Sequence, residues 1–283
     1  MDYILYNDGN LPRHINYCIN SILSSDKDSQ IHLITNENVN IQGVKVFNTR
    51  ETIKDWGIPD NFGPDQNPLW VTSIERIFYI DKYIKETNIK KFVHFDNDVI
   101  IYHPFTKLKK YLDQTTDSVR ITPLTYQDLV FGYSYINSQA QFGKLVEKIK
   151  YTLKNFDFYQ KINMNKAPNE MRILSLISRE NPDLISSLEI LPYKNHDFIF
   201  DPASYGQYLG GTNQKPKKFF RNNFATTDHI VGIELLSKRV KVKYNKGLPY
   251  VTSEIGNDSF LANLHIHSKK LENFLPRNYK SYI

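Results

Sequence analysis

Residues 92–102, Phe92-Val93-His94-Phe95-Asp96-Asn97-Asp98-Val99-Ile100-Ile101-Tyr102, constrain this chain more than any other stretch, because an apolar run there carries two carboxylates one residue apart. Aromatic and β-branched residues in such a run read as a buried strand. In an open α/β sheet, ligands bind at the carboxyl ends of the strands. Residues i and i+2 of a strand point to the same side. Asp96 and Asp98 are therefore expected to face one hard divalent cation together, and such a cation holds a diphosphate.

The flanking sequence supports an α/β fold. Residues 71–87 have helical spacing and Asn88-Ile89-Lys90-Lys91 make a turn, so the local order is helix, turn, strand, acidic pair. Earlier, residues 3–6 read as a strand, Asn7-Asp8-Gly9-Asn10 as a turn, and residues 11–23 as a helix with Ile15, Cys18, Ile19 and Ile22 on one face. Strands follow at 31–35 and 44–47, which predicts a mostly parallel sheet covered by helices. Gly57, Pro59, Gly63, Pro64 and Pro68 mark an ordered loop before the next helix. Further strands are expected at 118–122 and 131–137, with helices at 138–156 and 169–179.

Composition narrows the function classes. A chain of 283 residues buries about three quarters of its unfolded surface, enough for one large domain or two fused ones. Its 19 Tyr and 17 Phe supply stacking surfaces for a base or a sugar ring. The net charge of +6 is mild, and no basic block belongs to a nucleic-acid module, so small anions or an anionic membrane surface are the expected partners, not nucleic acid. Cys18 is the only cysteine, which excludes an intrachain disulfide and a Cys-based zinc site and fits a cytoplasmic setting. No run approaches the roughly 18 to 20 apolar residues of a membrane span, and the first residues show neither a basic leader nor an apolar signal core. A soluble protein, at most peripheral at a membrane, is expected.

Four features in order resemble the GT-A class of nucleotide-sugar glycosyltransferases, in particular a group found in bacteria and large viruses. They are the Arg-containing helix Thr72-Ser73-Ile74-Glu75-Arg76-Ile77-Phe78, the Asp96-Asn97-Asp98 strand end, the loop Gly206-Gln207-Tyr208-Leu209-Gly210-Gly211, and His265-Ile266-His267-Ser268-Lys269. The resemblance spans roughly residues 3–275. It implies a Rossmann-like sheet that binds a UDP- or GDP-sugar, with Mn²⁺ or Mg²⁺ between the diphosphate and the acidic motif. It also implies one catalytic domain over 1–283, with a nucleotide-sugar half at 1–105 and an acceptor-side half at 106–283. The acceptor would be a hydroxyl on a glycan, glycoprotein or lipid-linked sugar, and the setting would be surface polysaccharide or glycan synthesis.

On this reading Asp98 ligates the metal directly, while Asp96 touches the metal, the ribose or the sugar. Asn97, between them, would either hydrogen-bond the nucleotide-sugar or, as the middle residue of a strand, point the other way. His265 and His267 share a face, and either can complete the metal shell; an imidazole suits Mn²⁺ better than Mg²⁺. Lys269 would pair with a phosphate. Arg76 would either clamp phosphate or hold the acidic motif. Tyr6, Asn7 and Asp8 occupy the turn where the class receives base and ribose, and Gln207, Gly210 and Gly211 form a loop open to close approach by a ligand. An inverting enzyme needs a carboxylate base, for which Glu170 at a helix start and Asp201 at a strand end are the candidates; a retaining enzyme can use the leaving phosphate instead.

Two other readings remain. A sugar-phosphate nucleotidyltransferase shares the sheet and acidic ligands, but Asn7-Asp8-Gly9-Asn10-Leu11-Pro12-Arg13 is a poor phosphate loop. A non-catalytic carbohydrate-binding protein would explain the aromatics and not the acidic pair. The chain has no Gly-x-Ser-x-Gly elbow and no P-loop.

Overall fold

The computed structural model describes residues 1–50, 55–113, 118–194, 196–211 and 228–282. Strand β1 (Asp2–Asn7) buries every residue after Asp2. It is followed by α1 (Ile15–Ser25), β2 (Gln30–Thr35) and β3 (Val44–Asn48). β1 pairs parallel with β2, and β2 parallel with β3. Helix α2 (Pro68–Thr87) starts where the Asn67 side chain accepts the Leu69 N–H and proline occupies the first turn. It stops at Asn88, whose left-handed backbone closes the last turn. The chain then enters β4 (Phe92–Phe95), parallel to β1.

The acidic run is two strands, not the single strand its composition suggests. β4 ends at Phe95, and the Val99 N–H donates to the Asp96 carbonyl at 3.2 Å, closing a turn. β5 (Val99–Ile101) then leaves the central sheet and lies under α1, where the Ile101 N–H donates to Ser21 Oγ at 3.1 Å. The apolar residues on either side of the turn thus belong to different sheets.

The chain continues through α3 (Phe105–Leu112), β6 (Val119–Pro123), β7 (Leu129–Ile136), α4 (Gln139–Lys154), α5 (Phe156–Ile162), α6 (Glu170–Glu180) and β8 (Ile185–Ser187). The central sheet has the order β3-β2-β1-β4-β7-β6-β8. Four of its six pairings are parallel, and β7 runs antiparallel to both neighbours. This is the expected α/β architecture, a mostly parallel sheet flanked by helices. Alternation along β1 divides the core in two. Tyr3 and Leu5 join Ile19, Phe95 and Ile100 on one face, while Ile4 and Tyr6 join Ile77, Phe131 and Ile173 on the other. Each fully buried Ile or Leu contributes about 2 kcal/mol.

The remaining elements are β9 (Phe198–Ile199), α7 (Ser204–Gly210), α8 (Ile230–Leu236), β10 (Val240–Asn245), β11 (Leu248–Ser253), β12 (Asp258–Leu261) and β13 (Asn263–His265). A second sheet runs β10-β11-β12-β9, and β13 pairs antiparallel with β5. Segment 206–211, expected as a loop, is mostly the helix α7. No helix among the described residues is long and apolar enough to cross a membrane.

Candidate functional site

β1 lies between β2 and β4, so the connections leave in opposite directions at its carboxyl end. Such a switch point opens a crevice in an α/β sheet. The turn after β4 delivers Asp96 and Asp98 there, and β13 delivers His265 opposite Val99. Carboxylate oxygens of Asp96 and Asp98 and a ring nitrogen of His265 lie within 4.8 Å of one another. His265 Nε2 is 3.0 Å from Asp98 Oδ1 and 3.7 Å from Asp96 Oδ2. The carboxylates converge because of a turn, not because alternate strand residues share a side. Asp98 is 1% exposed, whereas the Asp96 side chain retains 26% exposure and forms the open edge of the group.

Two glycines make the convergence possible. A Cβ at Gly132 on β7 would lie 2.8 Å from Asp96 Oδ2 and 3.1 Å from His265 Cε1. A Cβ at Gly206 on α7 would lie 1.9 Å from the His265 carbonyl oxygen. Gly206→Ala must therefore move β13. The expected outcome is a loss of about 1–3 kcal/mol in urea unfolding together with weaker Mn²⁺ binding by calorimetry; unchanged metal binding would show that His265 does not depend on this contact.

Asp201 anchors the same junction. Its Oδ1 accepts the Ser204 and Tyr205 N–H groups at 2.8 and 2.9 Å, and its Oδ2 accepts those of Gly206 and His265, both at 2.9 Å. With four backbone donors and 1% exposure, it has no lone pair directed at a substrate. Asp201, expected as a candidate base, is placed here as an acceptor for the first turn of α7 and for the His265 N–H, away from an open cleft.

The charges form one chain. Burial opposes ionisation of Asp98, but His265 and Lys269 outweigh it and hold the carboxyl well below its usual range. Burial likewise disfavours a charged His265, and Asp98 reverses the effect, so its pKa is raised. Burial also works against a charged Asp96, which is kept low by Arg76 and His265. The Arg76 guanidinium donates to Asp96 and, at 3.1 Å, to Glu170 Oε1, and it lies 5.6 Å from the Phe131 ring centre. Arg76 therefore contacts the acidic motif directly through Asp96.

One guanidinium thus serves two carboxylates, the buried Glu170 and the partly open Asp96. Burial first, and then the charge on Asp96, pushes Glu170 up to about 7. Asp96 keeps the charge, and Glu170 retains its proton to higher pH than an ordinary carboxyl. Glu170 is the first residue of α6, 3% exposed, and faces Arg76 rather than an open cleft.

Toward β1, Asn97 Nδ2 donates to Asn7 Oδ1 at 2.9 Å, and Asn97 Oδ1 is 3.2 Å from His14 Nε2. Asn7 donates to the Gly9 carbonyl at 2.7 Å. Asn36 Nδ2 donates to Asp8 Oδ1 at 2.6 Å, and its Oδ1 accepts the Gly9 N–H at 2.9 Å. His14 and Asn36 were not anticipated. Asn36 directly follows β2, so the strand-end rule pointed to it; His14 precedes α1 with no sequence signal. The Tyr6 ring is 8% exposed and stacks on Tyr79 at 5.6 Å, so it belongs to the core instead of offering the open stacking face expected.

The last strand ends at His265, so His267 lies on the following turn. Its ring is 4.6 Å from that of His265, and its Nε2 is 3.4 Å from Gln207 Nε2. It stands outside the convergent group, and burial with the neighbouring His265 lowers its pKa to about 3. Gln207 is 7% exposed on α7. A Cβ at Gly210 would approach Phe274 at 3.1 Å and Ser268 Oγ at 3.3 Å, and Gly211 ends the helix at φ +74. The Lys269 ammonium contacts Asp98, with its side chain 40% exposed.

No family model and no curated protein sequence matches the chain. Among solved structures it is similar to mouse xyloside xylosyltransferase 1 in its apo form, with 11% identity, TM-score 0.48, and coverage of 67% of this chain and 86% of that one. It is also similar to the galactosyltransferase LgtC in complex with donor and acceptor sugar analogues, with 13% identity, TM-score 0.47, and coverage of 80% and 84%. For the glycosyltransferase GlyE of Streptococcus pneumoniae the identity is 17% and the TM-score 0.42; the match covers 66% of this chain and 45% of GlyE, less than half of that protein's length.

Proposed function

We propose that this protein is a metal-dependent glycosyltransferase of the GT-A class, moving a sugar from a UDP- or GDP-sugar to a hydroxyl of a glycan or of a protein- or lipid-linked acceptor. The observation that carries this reading is the convergence of Asp96, Asp98 and His265 at the switch point of the sheet. Two carboxylates and one imidazole, with Asp96 still partly open, suit Mn²⁺, and the imidazole disfavours Mg²⁺. A bound divalent ion would neutralise the charge that develops on a nucleoside diphosphate leaving group.

The chain's own residues supply the rest of the reading. Asn7, Asp8, Asn97, His14 and Asn36 make a hydrogen-bonding wall for base and ribose beside the acidic turn. Lys269 brings a second positive charge for the diphosphate, and Gln207 and His267 with Gly210 and Gly211 border the sugar. Residues 1–105 then serve the donor, and 106–283 form the acceptor side together with a C-terminal segment that meets the metal and the diphosphate. Neither carboxylate expected as a base is open: Asp201 is saturated by backbone donors, and Glu170 is paired with Arg76. Their placement favours the leaving diphosphate as the group that takes the acceptor's proton, the retaining course.

A thermal-shift screen of UDP-, GDP-, CMP- and dTDP-sugars with and without Mn²⁺ tests this. A ligand at 100 times its Kd stabilises by about 2.7 kcal/mol, a rise of several degrees for a chain of this size. One nucleotide class is expected to raise Tm only when Mn²⁺ is present. No response to any sugar nucleotide, with ATP or CTP active instead, would replace this reading with the nucleotidyltransferase.

A further inference from the structure

Four of the large apolar side chains exposed among the described residues lie close together in the chain: Tyr151 at 60%, Phe158 at 59%, Ile162 at 49% and Met164 at 71%. They run from the end of α4 through α5 to the turn beyond it. α5 is two-faced. Phe156 and Tyr159 are each 4% exposed and tie it to the core, while Phe158 and Ile162, four residues apart, share the outer strip.

The turn that follows has a defined shape. The Met164 N–H donates to the Lys161 carbonyl at 3.2 Å, the Lys166 N–H to the Asn163 carbonyl at 3.1 Å, and Asn163 Nδ2 to the Lys166 carbonyl at 2.9 Å. Met164 and Asn165 take left-handed backbone conformations, φ 55 and 60, which cost a methionine some stability. The apolar tip is held outward by its own hydrogen bonds.

The charges around it select the partner. Lys154, Lys161 and Lys166 are exposed and make no ion pair among the described residues, and Asp157 is the one acidic residue in 151–166. Three lysines against one aspartate leave this segment at +2. Lysine is depleted in protein–protein interfaces. Aromatic and aliphatic residues exposed together and flanked in sequence by exposed lysines suit the headgroup region of an anionic bilayer.

We propose that α5 and the turn after it dock on an anionic lipid surface, with Phe158, Ile162 and Met164 entering the headgroup boundary and Lys154, Lys161 and Lys166 meeting lipid phosphates. The turn runs within a few residues to Asn169, which caps α6, and to Glu170, which contacts Arg76 and through it Asp96. Docking would present the acidic crevice beside the membrane. The inference stands on the surface alone and does not depend on the transferase reading.

Flotation with phosphatidylcholine vesicles, with and without phosphatidylglycerol, tests it on the full chain. Binding to the mixed vesicles is expected, at least about tenfold weaker to phosphatidylcholine alone and weakened by salt. The triple variant Phe158→Ser, Ile162→Ser, Met164→Ser should lose binding by about tenfold or more. Lys161→Gln with Lys166→Gln should lose the salt-sensitive part. An unchanged Tm and unchanged Mn²⁺ binding by calorimetry would show that the variants remain folded. Failure of the unmodified protein to float with mixed vesicles would overturn the proposal. So would full binding by the triple variant, or a dimer in solution that the triple variant converts to monomer, which would assign this face to a second copy.

Discussion

Asp98→Asn is expected to lower Mn²⁺-dependent transfer by about three orders of magnitude, with Mn²⁺ binding lost in calorimetry. The amide has nearly the shape of the carboxylate, so the effect separates charge from packing. Asp98 is the most enclosed member of the convergent group and meets both His265 and Lys269. Asn removes the charge that holds both cations. Retained transfer at saturating donor and metal would sink the assignment.

The same substitution has a pH signature. The folded pKa of Asp98 is depressed, so its contribution to stability is present above the ordinary carboxylate value and is lost as pH falls through the folded value. His265 is raised, so its contribution is full below its ordinary value of 6.5 and is lost as pH rises through the raised value. The gap in urea stability between the parent and Asp98→Asn should be widest at about pH 5–6. It should shrink without vanishing above the His265 titration, because Asp98 also contacts the Lys269 side chain. A gap constant across that range would mean that His265 does not share the Asp98 charge.

Arg76→Met should produce the largest loss of stability. It leaves the buried Glu170 without a cation and Asp96 with His265 alone, and breaking a buried pair in this way costs about 3–5 kcal/mol. Glu170 already has its folded pKa raised from 4.5 to about 7. The native state therefore binds more protons than the unfolded chain between those values, and stability falls as pH rises through them. Without Arg76 Glu170 shifts further upward and Asp96 loses the main charge that keeps it low. The deficit measured by urea unfolding should be larger at pH 8 than at pH 5, and Mn²⁺ affinity should drop about 10- to 100-fold as Asp96 loses its orientation. Equal stability at pH 8 would show that the guanidinium does not hold these carboxylates.

Local signals in the chain were strong wherever they coincide with local causes. Apart from α3, β5 and α5, the order of helices and strands through residue 180 is legible, as are the α/β class and the acidic pair at a strand end, because periodicity and turn residues act over a few positions. Short segments misled for the same reason. Residues 92–102 look like one strand, since apolarity cannot tell which sheet buries a residue, and the break at Asp96–Val99 follows from β5 pairing with β13, more than 150 residues away in sequence. Residues 206–211 look like a glycine loop, but Asp201 caps them into a helix.

The chain by itself determined which side chains carry charge and metal-ligating chemistry, and that the acidic pair ends a buried strand. Only the tertiary structure decided their neighbours. It set His265, not His267, beside Asp96 and Asp98, paired Arg76 with Asp96 and Glu170, and gave Asp201 four backbone donors. Those choices depend on burial and on contacts between residues distant in sequence. A carboxylate's chemistry is set by what faces it in a desolvated site, and that is known only once the chain has closed around it.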